Sequence, residues 1–214
     1  MLWACAVLAM VSVIGANLWR DRQGGGASTA AAIDDHSGDA SADEHQPLRH
    51  THDVPAFSLI DQNEKPVTLE SLKGKPFIAN FIFTNCAGPC PTMTAKMSKL
   101  QNTVPAEVKL VSFSVDPARD RPAVLKEYAN NFDADHSRWH FLTVADPAQA
   151  KSVYTLSHAM LLPAQPAADE QSQIIHSPKF VLVGADGKTR AYYDSDDAQR
   201  MEQLKADAKD LLKQ

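Results

Sequence analysis

The stretch of this chain that most restricts its fold is a seven-residue apolar run, FIANFIF, at residues 77–83. It shows no polar alternation, is too short for a helix, and is rich in aromatic and β-branched side chains. It therefore predicts a strand buried on both faces. A strand covered above and below needs a layer of helix on each side, which selects an α/β class. The neighbouring patterns agree. Met93, Met97 and Leu100 recur at helical spacing, in a helix expected to start near Pro91. Residues 108–115 read as the next strand, and Val124, Leu125, Tyr128 and Phe132 as a second helix with Asp120 and Pro122 in its first turn. Residues 141–144 are expected to be a third inner strand, and Asp146-Pro147 the start of a helix that runs to about His158.

Hairpin signals stand at both ends of this block. Residues 57–60 and 67–69 flank the polar stretch 61–66, while 179–183 and 189–193 flank a turn at Ala185-Asp186-Gly187-Lys188. Met201, Leu204, Ala208 and Leu211 stripe a last helix. The whole is a mixed central sheet with helices on both faces and an N-terminal β-hairpin.

Ahead of this domain the composition changes twice. Residues 2–19 carry no charge, with Trp3 and Trp19 near the ends and Arg20 and Arg22 just beyond. As a helix the run would reach roughly 27 Å, close to the minimum membrane span. The clearest Ala-x-Ala cleavage site, Ala30-Ala31-Ala32, lies far beyond it, so an uncleaved anchor is expected at 1–19 rather than a removed signal peptide. Arg20 and Arg22, with no Lys or Arg ahead of the span, would by the positive-inside rule pull the domain inward. Residues 20–53 are small and acidic with few large apolar side chains, the composition of a flexible tether. They hold His36, His45, His50 and His52, of which His50-Thr51-His52 beside Asp53 is the best placed to capture a metal weakly. The folded domain is expected over 54–214. Across the chain, 21 basic against 26 acidic residues leave a net charge of −5, which argues against a nucleic-acid partner.

The chain has only three cysteines, too few for a disulfide framework, and Cys5 falls in the expected anchor. Cys86 and Cys90 enclose Ala87-Gly88-Pro89 directly after the buried strand and at the head of the next helix. Ligands of open α/β sheets bind at such strand ends. A helix N-terminus is expected to favour the thiolate, the form that holds soft metals and attacks disulfides. Three chemistries remain open. A thiol–disulfide site would resemble Cys-x-x-Cys, but the spacer here is three residues. Structural zinc wants four ligands, and there is no second cysteine pair. Two thiolates with one imidazole form a low-coordinate soft site suited to copper. His176, just before the strand at 179–183, is the best third ligand, while His136, His140 and His158 read as packing or surface residues.

FIFTNCAGPCPTMTAKM (81–97), SVDPARDRPAVLKEYA (114–129), WHFLT (139–143) and HSPKFVLVGADG (176–187), in that order, resemble the Sco/SenC family. The resemblance covers the chain from about residue 54 onward. It implies a thioredoxin-like fold and a membrane-tethered protein, held at the outer face of the inner membrane with its domain in the periplasm. It also implies copper handling during assembly of the copper A centre of cytochrome c oxidase. Carried over, Cys86 and Cys90 look like the thiolate ligands, forming a disulfide when oxidised, and His176 looks like the imidazole ligand. Asp116 matches an acidic residue near the metal face, although a simple cap before Pro117 explains it as well. Many oxidase-assembly members carry an acidic residue between the cysteines, where this chain has Ala87-Gly88-Pro89. The resemblance therefore supports copper and thiol chemistry more firmly than an oxidase subunit as the partner, and leaves thiol–disulfide exchange open. It further implies a cis peptide at Ser177-Pro178, opposite the cysteine motif.

Overall fold

The computed structural model describes residues 52–166 and 174–213. The expected anchor, Cys5, and the tether histidines at 36, 45 and 50 lie outside them. Among the described residues no helix is long and apolar enough to cross a membrane.

Strands β1 (Ser58–Ile60) and β2 (Pro66–Thr68) pair antiparallel as the expected hairpin. Asp61 Oδ1 closes their loop by accepting from the Asn63 and Lys65 backbone N–H groups at 2.8 and 3.0 Å. The short helix α1 (Leu69–Leu72) follows, capped reciprocally by Thr68 and Ser71. The central sheet is built from β3 (Phe77–Ile82), β4 (Lys109–Ser114), β5 (Trp139–Leu142), β8 (Lys179–Val183) and β9 (Thr189–Asp194), in the order β5-β4-β3-β8-β9. The first three run parallel, and the β8–β9 hairpin is added antiparallel. A strand that leads into the cysteine motif, flanked by a parallel neighbour on one side and an antiparallel hairpin on the other, is the thioredoxin-like arrangement expected above. Between β5 and β8 a further short pair forms, β6 (Ala164–Gln165) with β7 (Ile175–His176).

Every residue of β3 is buried, as its unbroken apolar run requires. Asn80, Ser112 and Phe141 stand in register on one face. That face meets Tyr128 of α3 (Pro122–Asn130), whose ring lies 6.2 Å from that of Phe141. Helix α2 (Pro89–Gln101) joins this layer through the Thr94 and Tyr128 hydroxyls, 2.9 Å apart. Helix α5 (Ala198–Asp210) joins it where the Tyr193 hydroxyl donates to Asp207 at 2.6 Å. On the opposite face Phe81 stacks on Phe113 at 5.1 Å and Phe57 meets Phe113 edge-on. There α4 (Ala150–Ala159) brings Val153 and Leu156 to a groove shared with Phe57 and Leu59.

Four expectations change. Helix α2 begins at Pro89 rather than near Pro91, because Pro89 already has the backbone angle of a first helical position. Asp120 is not in the first turn of α3; Arg121 is the N-cap and Pro122 leads the helix. The strand expected at 141–144 runs Trp139–Leu142 and is the last of the sheet rather than an inner one. It reads as buried because its outer edge is covered: Ile60 pairs with Thr143, and the Gln62 side chain accepts from Phe141 N and donates to the Trp139 carbonyl. Finally, Ser177–Pro178 is trans, like every peptide bond among the described residues. The trans form is the intrinsic preference, and here it carries extended chain from β7 into β8 while the Pro178 carbonyl accepts from Ser195 N.

Trp139 is fully buried, stacks on Phe141 at 4.7 Å, and donates its indole N–H to Ser112 Oγ at 3.1 Å. Trp139→Ala should therefore cost about 3–5 kcal/mol in urea unfolding. Val124→Ala, on a side chain 40% exposed, should stay within about 0.5 kcal/mol. Equal losses would mean that the stack contributes nothing.

Candidate metal centre

The parallel ladder between β3 and β4 ends where Val115 N donates to the Ile82 carbonyl. Beyond that point the chain leaves the sheet, passes Cys86, and turns into α2, so Cys86 sits in the loop and Cys90 in the first helical turn. From the other side β7 delivers His176, whose ring meets Phe83 edge-on at 5.7 Å. Cys90 Sγ lies 2.8 Å from His176 Nε2, across 86 residues of sequence. Both cysteines are free thiols, and the donor atoms of Cys86, Cys90 and His176 all lie within 4.8 Å of one another. This is the only group of three or more metal-capable side chains among the described residues.

The imidazole is oriented by its other nitrogen. With Nδ1–H donating to the Ser177 carbonyl at 3.2 Å, Nε2 keeps its lone pair and accepts from the Cys90 thiol. Burial lowers the His176 pKa, so the ring stays neutral and available as a ligand. Cys90 behaves contrary to the helix-terminus expectation. Its pKa is raised, first by burial, then by its hydrogen bond with Cys86. With no exposed surface at Cys90, losing water costs the thiolate more than one helix end returns. A positive ion entering this site would supply the missing charge. Cys86 and His176 remain 8% and 9% accessible, so the ligand set opens outward through them and not through Cys90. The exposed Ala87-Gly88-Pro89 rims that opening.

Around the ligands lies a polar set that the sequence reading passed over. Asp120 is fully buried and accepts from Thr84 N, Thr84 Oγ1 and Ser114 Oγ. Thr94 Oγ1 donates to the Cys90 carbonyl at 2.9 Å, which ties the first turn of α2 to the half-buried Tyr128 and its hydroxyl. Burial pushes the Tyr128 pKa up to about 12. The signal that could have found Asp120 is a pair of hydroxyl residues, Thr84 and Ser114, at the exits of two adjacent strands.

The other candidates do not join the centre. Asp116 is buried in the turn after β4, where its carboxylate pairs with Arg119 at 2.9 Å and its carbonyl accepts from Asp120 N. It is absent from the ligand group. His136 bonds Gln62 and Asn130, His140 faces Asp61 at 3.5 Å, and His158 is exposed on α4, all as expected of packing or surface residues. His52 is held through its backbone, which pairs with Thr189.

Comparison with known proteins fits this geometry. Residues 45–213 match the family model described as SCO1/SenC. A SCO1 protein homolog from Bacillus subtilis is 40% identical over 146 residues, covering 67% of this chain and 74% of that protein. Among solved structures, BsSco, a Sco-family cytochrome c oxidase assembly protein with a disulfide switch, superposes with a TM-score of 0.66 at 36% identity, covering 77% of this chain and 95% of that one. Copper-bound ScoI from Bradyrhizobium japonicum gives 0.62 at 30% identity, covering 75% and 99%. With a family model spanning the whole described fold, this chain belongs to the SCO1/SenC family.

Proposed function

We propose that this protein is a copper metallochaperone. It holds one copper ion between Cys86 Sγ, Cys90 Sγ and His176 Nε2 and passes it to a partner such as the copper A site of cytochrome c oxidase. The observation that carries the reading is the convergence of these three donors within 4.8 Å. Two sulfurs and one nitrogen fit copper in either oxidation state: the thiolates suit Cu(I), and the imidazole admits Cu(II). The copper-bound relative and the oxidase-assembly relative support the same assignment. Transfer proceeds by ligand exchange, entering at the accessible Cys86 and His176 edge, with the buried Cys90 released last. In this reading residues 1–19 anchor the protein in the inner membrane, 20–53 tether it, and 54–214 work in the periplasm. Reduced full-length protein titrated with copper should take up one equivalent; no uptake would end the proposal.

A second reading is favoured by the unequal burial of the two thiols. Cys86 is 8% accessible while Cys90 is fully covered, the asymmetry of an attacking and a resolving cysteine. In thiol–disulfide exchange Cys86 thiolate attacks a partner disulfide and expels one partner thiolate. Cys90 then attacks Cys86 Sγ, expels the second, and leaves Cys86–Cys90 oxidised by two electrons as the partner is reduced by two. His176→Ala separates the readings, since it should spare exchange and impair copper binding.

A further inference from the structure

We infer that Asp120 is a positioning residue for the metal centre, its buried carboxylate pinning the Thr84 end of the Cys86 loop and thereby setting where Cys86 Sγ stands relative to Cys90 and His176. The inference rests on the copper reading for its functional meaning, but its geometry is independent of it. Past Ile82 no neighbouring strand remains to accept the Thr84 backbone N–H. Asp120 accepts it instead, at 3.1 Å to Oδ2 and 3.3 Å to Oδ1, and takes the Thr84 hydroxyl at 2.5 Å as well. The same carboxylate accepts from Ser114 Oγ at 2.6 Å. Ser114 Oγ in turn accepts from Asp116 N, and Asp120 N donates to the Asp116 carbonyl at 2.8 Å. One side chain, 36 residues beyond Thr84 in sequence, thus locks the exits of β3 and β4 together.

Hydrogen bonds to a carboxylate are the strong class, and here two short hydroxyl contacts converge on it beside the longer Thr84 N–H contacts. Only Asn85 separates Thr84 from Cys86. Each residue adds two soft dihedrals, so holding Thr84 confines Cys86 to a small arc. Cys90 is placed differently, by α2 and the Thr94 bond to its carbonyl. Of the two sulfurs, Cys86 is therefore the one that depends on the clamp. A fully buried acid whose bonds come from hydroxyls and a backbone N–H is an expensive way to stabilise a fold. Its return lies in the fixed geometry of the loop it holds.

The test uses the full-length chain as Asp120→Asn, Thr84→Val and Thr84→Ser. Asn offers one acceptor oxygen in place of two, Val removes the hydroxyl donor, and Ser keeps it. In the metal-free reduced protein, alkylation of Cys86 by iodoacetamide should run several-fold faster in Asp120→Asn and Thr84→Val, and at the wild-type rate in Thr84→Ser. With Cu(II) bound, the first two should shift the thiolate-to-copper charge-transfer band and lose about tenfold in affinity, the scale of groups that orient a metal ligand. A lower Tm with wild-type alkylation and a wild-type band would overturn the inference, as would Thr84→Ser behaving like Thr84→Val. Should Asp120→Asn fail to fold, the two Thr84 variants decide alone. Wild-type protein that takes up no copper would refute the metallochaperone reading, while the alkylation rates would still decide the role of Asp120.

Discussion

Cys90→Ser is expected to abolish copper retention in both oxidation states. Cys90 is fully buried and lies 2.8 Å from the imidazole, so it is the donor that the other two converge upon. A serine hydroxyl is hard and stays protonated near neutral pH, so one of the two soft ligands is lost outright. A fall of about three decades in affinity, or about 4 kcal/mol, is the expected scale for both ions. The fold should survive, because serine can still donate to His176 Nε2 and the cost of the exchange is about 1 kcal/mol. Competition against a chelator, read separately for Cu(I) and Cu(II), measures the loss. Cu(I) affinity within tenfold of wild type would show that Cys90 is not a ligand.

His176→Ala should separate the two ions where Cys90→Ser does not. Cu(I) is satisfied by two thiolates, whereas Cu(II) prefers a set that includes nitrogen. Cu(II) affinity is expected to drop by about 100-fold, or about 2.8 kcal/mol, and Cu(I) by less than about tenfold. The variant leaves a space beside Phe83, whose ring now packs edge-on to the imidazole. A modest loss of stability should therefore accompany the loss of Cu(II). Equal losses for both ions would remove His176 from the ligand set, even though its ring reaches Cys90.

The two variants together also weigh chaperoning against thiol exchange. Cys90→Ser should end both activities, since it removes the resolving thiol as well as a ligand. His176→Ala should leave dithiol exchange largely intact while Cu(II) binding collapses. A variant that delivers no copper yet still reduces a partner disulfide would mark the site as serving both chemistries.

Local pattern was enough for most of the architecture and for the cysteine pair. The apolar run at 77–83 could only be a strand buried on both sides, and β3 is. The hairpins at 57–69 and 179–193 were legible because their turn residues differ so sharply from the flanking strands. What misled was information that belongs to neighbours. The last strand of the sheet looked interior because Ile60 and Gln62, some 80 residues earlier, cover its edge. Asp120 looked like a first-turn helix residue because an acid near a proline often is one, yet its partners Thr84 and Ser114 stand at the exits of two different strands.

The chain alone therefore settled which residues could carry soft-metal chemistry. Strand periodicity, helix starts and the Cys-x-x-x-Cys spacing are short-range properties, written within a few residues of one another. Only the tertiary structure decided how those residues behave. It brought His176 across 86 positions to Cys90 and placed a buried carboxylate under the loop that carries Cys86. It also raised the Cys90 pKa where the helix terminus alone would have lowered it. The reason is physical: distance through space and exclusion of water are products of packing, and neither is defined until the chain has folded.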